Sequence, residues 1–221
     1  MVQYIDFVGG LHTATSRNYL ERVVAHDKAE CAEVACRFGA EYWDGDRRFG
    51  YGGYRYDGRW YKVAEAMARH YGIKPGHRIL DVGCGKGFLI HEFTRAVPGV
   101  EVFGIDISEY GVRHAKPEVS SRVIVGHAGQ LPFPDDYFHF VVSITTLHNL
   151  GARDLHAAIG EIERVGIGDK HITIESYRSQ REKANLLYWQ LTCKAFHDVA
   201  DWQWVLQSAG YTGDYGAIFF E

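Results

Sequence analysis

Hydrophobic and polar positions change their rhythm near residue 72. From residue 73 onward, short apolar runs alternate with stretches whose apolar residues recur every three or four positions. The short runs predict strands at Arg78–Val82, Glu101–Asp106, Arg122–Gly126, Phe138–Ile144, His171–Glu175 and Ala217–Phe220. Helical spacing between them predicts helices over Phe88–Val97, Glu109–Lys116, Ala152–Val165, Arg181–Phe196 and Asp201–Ala209. This alternation predicts an α/β domain with a doubly wound, mainly parallel sheet and helices on both faces. Tyr211–Tyr215 reads either as a short further strand or as part of a truncated edge, and Tyr4–Val8 reads as a strand of open placement. An apolar edge at Ile218-Phe219-Phe220 invites pairing with a second chain, which predicts a homodimer.

Residues 1–72 follow another pattern, rich in aromatic and charged side chains. Helices are predicted over Ser16–Ala25 with Ser16 as cap, over Lys28–Phe38, and over Val63–Tyr71 with Gly72 as terminator. Residues 42–61 are too aromatic for a plain linker and too glycine-rich for a helix; Asp57-Gly58 predicts a tight hairpin turn there. The division is therefore a helical and aromatic cap or lid region, residues 1–72, before a core domain, residues 73–221.

Composition narrows the function classes. The 221 residues carry a net charge of −4 with both signs interspersed, so there is no strong signal for nucleic-acid binding. Cys31, Cys36, Cys84 and Cys193 include no CxxC pair, which argues against a zinc site and for reduced thiols in the cytoplasm. Met1–Gly10 lacks the basic start and apolar run of a secretory leader, and no apolar stretch is long enough to cross a membrane.

The chemistry concentrates where the first core strand ends. Asp81-Val82 leads into Gly83-Cys84-Gly85-Lys86-Gly87, and a predicted helix follows. Such a turn lets a ligand approach the backbone beside a helix N-terminus. Its G-x-G-x-G spacing differs from the G-x-G-x-x-G of dinucleotide binders.

Asp81–Gly87 resembles motif I of the class I S-adenosylmethionine-dependent methyltransferases, and residues 74–150 resemble the type 11 pattern of that family. Three further landmarks carry the likeness: Gly104-Ile105-Asp106-Ile107-Ser108, Leu131-Pro132-Phe133-Pro134-Asp135 and Leu147-His148-Asn149-Leu150, with Lys74-Pro75-Gly76 as lead-in. The resemblance implies a Rossmann-like fold with S-adenosylmethionine as cofactor and S-adenosylhomocysteine as product. Gly83, Cys84, Gly85 and Gly87 are then expected under the methionine and ribose, with Cys84 a small apolar filler. Asp81 is expected to order the loop and reach the methionine amino group through water. Asp106 is expected to accept from the ribose hydroxyls. Ile107 is expected on the adenine ring, His127 and Ala128 at its edge, and Ser143 near the methionine end, past the fourth strand. Family members usually carry an acid where this chain has His127; a neutral imidazole nitrogen can accept the same hydrogen bond. His139, where an aspartate is common, reads as structural.

Methyl transfer is an in-line displacement in which positioning supplies much of the rate. His148 and Glu175, at strand ends facing the expected cleft, are the candidate catalytic bases; His12 and His197 are weaker candidates. Tyr54, with Tyr51, Tyr56 and Trp60, is expected to cover the cofactor, and Asp44, Asp46, Arg47 and Arg59 to meet a polar substrate. Neither an Asn/Asp-Pro-Pro-Tyr run nor a Pro-Cys pair is present, so base methylation is disfavoured. The expectation is methylation of a small polar metabolite such as a sugar, an amino-acid derivative or a natural-product intermediate. A non-catalytic cofactor-binding subunit, and a protein or RNA methyltransferase, are the alternatives. Whether oxygen, nitrogen or carbon is methylated stays open.

Overall fold

The computed structural model describes residues 3–13 and 18–221. Strands β1 (Arg78–Val82), β2 (Glu101–Asp106), β3 (Val123–Val125), β4 (Phe138–Ile144), β5 (Gly166–Ser176) and β6 (Asp214–Phe219) form one sheet in the order β3-β2-β1-β4-β5-β6. Every strand pair is parallel. The helices are α1 (Gly9–Thr13), α2 (Tyr19–Ala25), α3 (Lys28–Ala35), α4 (Ala40–Trp43), α5 (Tyr61–His70), α6 (Phe88–Ala96), α7 (Glu109–Arg113), α8 (Ala152–Val165), α9 (Gln180–Trp189) and α10 (Val199–Ser208). None is long and apolar enough to cross a membrane.

Alternation along the strands builds a core on each face. Ile79, Phe140, Val142 and Ile144 face Val63 and Met67 of α5 and Leu89, Ile90 and Phe93 of α6. Leu80, Val82, Val141, Ile172 and Ile174 face Leu155, Ala158, Ile159 and Ile162 of α8, and Trp202 and Leu206 of α10. The three- and four-residue steps of the α8 stripe are what a helix needs to lay one face on a sheet. Strand order reverses between β1 and β4, which opens a crevice at their carboxyl ends, the usual ligand position in such sheets.

Several boundaries differ from the sequence pattern. Ser16 lies outside the described residues; Asn18 caps α2 by accepting from Glu21 N at 3.1 Å. β5 begins at Gly166 rather than His171 because Gly166 and Asp169 pair with Phe138 and Phe140 across a register shift. α9 ends at Trp189, well before Phe196, and Lys194 N and Ala195 N instead donate to His148 O. Residues 42–61 form no hairpin: the backbone folds back on α4, with Tyr51 N donating to Tyr42 O and Tyr54 N to Trp43 O. Gly58 does adopt φ +77°, yet no strands flank it. Gly72, at φ +59°, ends α5 as expected.

The C-terminal edge carries a larger correction. Tyr211–Tyr215 forms no separate strand: β6 starts at Asp214, pairs parallel with β5 over six positions and ends the sheet, as the truncated-edge reading has it. Tyr4–Val8 supplies only a bridge from Tyr4 to Tyr215, flanked by Ile5 N→Tyr215 O and Tyr215 N→Gln3 O. Asp6 then turns the chain into α1 by accepting from Val8 N and Gly9 N. Ile218 and Phe220 are buried at 6% and 1% exposure, so their side chains are covered, while β6 remains the terminal strand of the sheet.

His171 sits inside this edge, its Nδ1 3.1 Å from Tyr71 Oη and its Nε2 3.0 Å from Thr173 Oγ1. Burial pushes its pKa down to about 3. The unfolded chain takes up this proton below about pH 6.5, the folded chain only near 3, so the contribution is complete above about 6.5 and is lost as pH falls. Urea denaturation between pH 7 and 5 should lose stability faster in the wild type than in His171→Gln, by at most about 1.4 kcal/mol per pH unit. Equal slopes would contradict a buried neutral imidazole.

Candidate functional site

The β1–α6 loop is a left-handed run: Gly83, Gly85 and Gly87 have φ of +86°, +54° and +70°. L side chains rarely adopt this conformation, which explains the glycine spacing. Gly83 N and Cys84 N donate to Ile105 O, and Gly85 N donates to Asp106 Oδ2 at 2.7 Å. Ser108 N occupies the other Asp106 oxygen at 2.8 Å. Asp106 thus ties the β1 and β2 loops together, and each oxygen keeps a lone pair for a further donor. Cys84 fills the space over Gly104, as expected of a filler.

Asp81 lies in β1 at 3% exposure, and no described residue donates a hydrogen bond to its carboxyl group. Burial and the nearby Asp106 raise its pKa to about 8. An unpartnered carboxyl beside a glycine cradle is the environment that a cationic amino group would satisfy, so these residues fit the cofactor that the resemblance implies.

Toward the expected adenine end, Ile107 is 52% exposed beside Asp106. His127 and Ala128 follow β3. His127 Nδ1 accepts from Gly129 N at 3.0 Å, which places the neutral ring's proton on Nε2. The free ring nitrogen therefore donates, and the expectation that it accepts from an amino group is corrected: its polarity suits a ring nitrogen. Ser143 lies within β4, not past it; its hydroxyl is buried and donates to Val82 O at 2.8 Å.

The aromatic segment packs directly on the loop. Trp43 lies against Gly85, where an added Cβ would meet its ring at 2.7 Å, and its indole N–H reaches Ser108 Oγ and Phe38 O. Tyr51 stacks on Trp43, and Tyr54 on Phe88 at the start of α6. Lys86, between the loop glycines, is 5% exposed; its Nζ meets both carboxyl oxygens of Asp44 at 2.7–2.8 Å and Tyr54 O at 2.9 Å. Asp44 is thus committed to Lys86, Tyr110 and Tyr54 N, and Asp46 caps the 3-10 turn Arg47–Phe49. Tyr56 bonds Glu92, and Arg59 pairs with Asp57. The sequence carries no local sign of Lys86 or Trp43 in these roles, because their partners are remote in the chain.

Beside the loop is a cavity of about 440 Å³. Tyr54, Phe88, Thr145, His148, Glu175 and Phe220 line it, so β4, β5 and β6 all deliver residues to it. Thr145, a β-branched residue at φ +50°, ends β4 in a strained turn, and Thr146 Oγ1 contacts Gly83 O at 3.4 Å. His148 Nε2 stands 3.4 Å from Glu175 Oε2, with both side chains buried. Burial pushes the His148 pKa down to about 3, so the ring is neutral, and its Nδ1 is buried without a hydrogen-bond partner. Gln190 Nε2 also bonds Glu175. Of the weaker candidates, His12 lines the cavity and packs on Phe220, whereas His197 packs edge-on against Trp202. His139 Nδ1 accepts from Arg78 N, a structural contact.

Residues 79–166 match the family model of a methyltransferase domain. The chain carries a class I S-adenosylmethionine-dependent methyltransferase domain. It is 37% identical over 107 residues to a sterol 24-C-methyltransferase of Gibberella zeae, covering 45% of this chain and 27% of that protein. Against a ubiquinone/menaquinone biosynthesis C-methyltransferase of Cupriavidus necator it is 35% identical over 100 residues, 42% of this chain and 40% of the relative. The chain thus spans less than half the length of these curated relatives. A SAM-dependent methyltransferase from Archaeoglobus fulgidus shares the fold, with a TM-score of 0.55 at 22% identity over 68% of each chain. S-adenosylmethionine is the cofactor of this domain.

Buried Lys86, paired with the partly exposed Asp44, joins the methyltransferase domain to the segment above it. Lys86→Met and Asp44→Asn should each destabilise the chain, and a double-mutant cycle in urea should return a coupling of about 1–3 kcal/mol. Additive losses would show that the two side chains do not hold each other.

Proposed function

We propose that the chain transfers a methyl group from S-adenosylmethionine to a small polar molecule held in the 440 Å³ cavity. The observation that carries this is the shared wall: Phe88 and Thr145 adjoin the glycine loop, and the same cavity reaches the buried His148–Glu175 pair. Its size lies within the roughly 300–1,000 Å³ of small-ligand sites.

When bound, the cofactor supplies an electrophilic methyl group on sulfonium sulfur. The sulfur–methyl bond breaks as the acceptor–methyl bond forms, and any acceptor proton must leave. Glu175, which lines the cavity, is suited to take that proton, and neutral His148, with Nε2 3.4 Å from it, to position its carboxyl group. Asp81 holds the methionine amino group, Asp106 the ribose hydroxyls, and Ile107 and His127 the adenine. Ser143 supports the loop from beneath through Val82. The segment bearing Trp43, Tyr51 and Tyr54 acts as a lid that excludes water.

A second reading is C-methylation of a more apolar acceptor. The named C-methyltransferase relatives favour it, as does the cavity wall formed by Val8, Leu11, Ile218 and Phe220. Turnover of polar and isoprenoid acceptors by the purified protein separates the two. Binding without turnover of any acceptor supports a non-catalytic subunit instead.

His148→Asn and Glu175→Gln should lower kcat by about 10²–10⁴-fold where proton transfer limits the rate, with little change in S-adenosylhomocysteine affinity. Unchanged turnover in both removes the pair from the mechanism.

Asp81 gives a pH test. With its pKa near 8 it is largely protonated at pH 7, and a bound ammonium favours the ionised form. Binding should release up to about one proton per site at pH 7, and affinity should rise with pH until it levels above about 8. Calorimetry of S-adenosylhomocysteine in buffers of different ionisation enthalpy measures this, and Asp81→Asn should abolish the release. Equal proton release by wild type and variant would refute the assignment.

A further inference from the structure

The cavity that holds His148 and Glu175 also carries cationic side chains. Arg22, in the last turn of α2, holds its guanidinium 4.6 Å from the ring centroid of Trp189. The Arg47 guanidinium lies 5.1 Å from the same ring, and Arg22 Nη1 donates to Arg47 O. All three residues line the cavity. Arg22 Nε is buried without a hydrogen-bond partner. Among the described residues, no carboxylate stands within ion-pair distance of Arg22 or of its neighbour Lys28, whose ammonium donates to Leu187 O. Burial, and after it Arg47, lowers the Arg22 pKa, and burial, and after it Arg22, lowers that of Lys28. Arg47 is exposed and its Nη1 donates to Gly50 O and Tyr51 O, whereas Arg22 and Lys28 are half-buried like charges with no such carboxylate, which is unfavourable unless a ligand offsets them.

The rest of the cavity sets what such a ligand is. Trp189 carries the guanidiniums, and its neighbour Gln190 bonds Glu175, so the cationic and carboxylate poles stand at adjoining chain positions on one cavity. A molecule spanning them needs an oxyanion at one end and a nucleophile at the other. Arginine is suited to the oxyanion, because its planar fork donates in pairs to carboxylate or phosphate oxygens.

We propose that Arg22 and Arg47, seated on Trp189, form an oxyanion subsite, and that the methyl acceptor is a small molecule bearing a carboxylate or phosphate group. The acceptor assignment rests on the reading of this cavity as the substrate site; the anion site itself does not.

Inorganic phosphate and succinate serve as separate probes, each titrated into the wild-type protein with and without S-adenosylhomocysteine. Binding is read by calorimetry and by the Nε–Hε resonances of the arginines. At least one probe is expected to bind and to shift the Arg22 resonance. Arg22→Met should weaken that binding about tenfold or more, with Arg22→Lys intermediate and cofactor affinity unchanged in both. Far-UV circular dichroism checks that each variant is folded; if Arg22→Met is not, Arg22→Lys and the wild-type resonance decide. Response to phosphate alone assigns a phosphorylated acceptor, response to succinate alone a carboxylate, and response to both the shared oxyanion chemistry. No binding of either probe, or binding unchanged in the folded variants, overturns the proposal. Anion binding without S-adenosylhomocysteine binding would count against the methyltransferase reading and leave the anion subsite standing.

Discussion

A buried ammonium must find an anion, and the arrangement above the sheet follows from where Lys86 finds one. Lys86 stands between two left-handed glycines, so its backbone is fixed by the loop and its side chain leaves in one direction. Asp44 meets it from a segment far earlier in the chain, and Tyr54 O adds a third acceptor. With that point pinned, Trp43 falls over Gly85 and Tyr54 over Phe88. The loop and its cover are therefore one assembly: moving the ammonium would leave it uncompensated and unstack the aromatic cluster.

The cavity is a product of the same closure. A parallel sheet directs its strand ends to one edge, which brings Thr145, Glu175 and Phe220 together. The aromatic segment and the stretch after α9 complete the walls. Burial keeps His148 neutral, and Glu175 stands next to it without displacing the buried ring. On the same cavity two guanidiniums lie against one indole ring. A cavity that carries His148 and Glu175 as well as these cations would, on the proposed reading, select by charge as well as by shape. The apolar wall of Ile218 and Phe220 sets the width between them.

Much of the scaffold was legible before any coordinates. β1, β2, β4 and α8 have the boundaries that their apolar patterns predict, because each buries a regular stripe against a layer of the same core. The glycine spacing was equally informative, since each of Gly83, Gly85 and Gly87 answers a backbone conformation and needs no knowledge of remote residues. β5 was harder. Gly166 and Gly168 have poor strand propensity, and this stretch is strand because β4 pairs with Gly166 and Asp169 around them. The C-terminal edge misled for the same reason: Ile218 and Phe220 look exposed until residues 3–13 are laid beside them.

The sequence by itself determined the elements whose causes are local: the periodic strands and helices, the glycine turn, and the acidic residues at the ends of the first two core strands. Tertiary structure alone decided which side chains meet. It gave Asp44 to Lys86 rather than to a substrate, turned the free nitrogen of His127 into a donor through Gly129, and placed Arg22 and Arg47 on Trp189. Those pairings join residues tens to more than a hundred positions apart, or depend on a tautomer fixed by a neighbour. A hydrophobic pattern records which face of an element is buried, and carries no record of the partner that the burial brings to it.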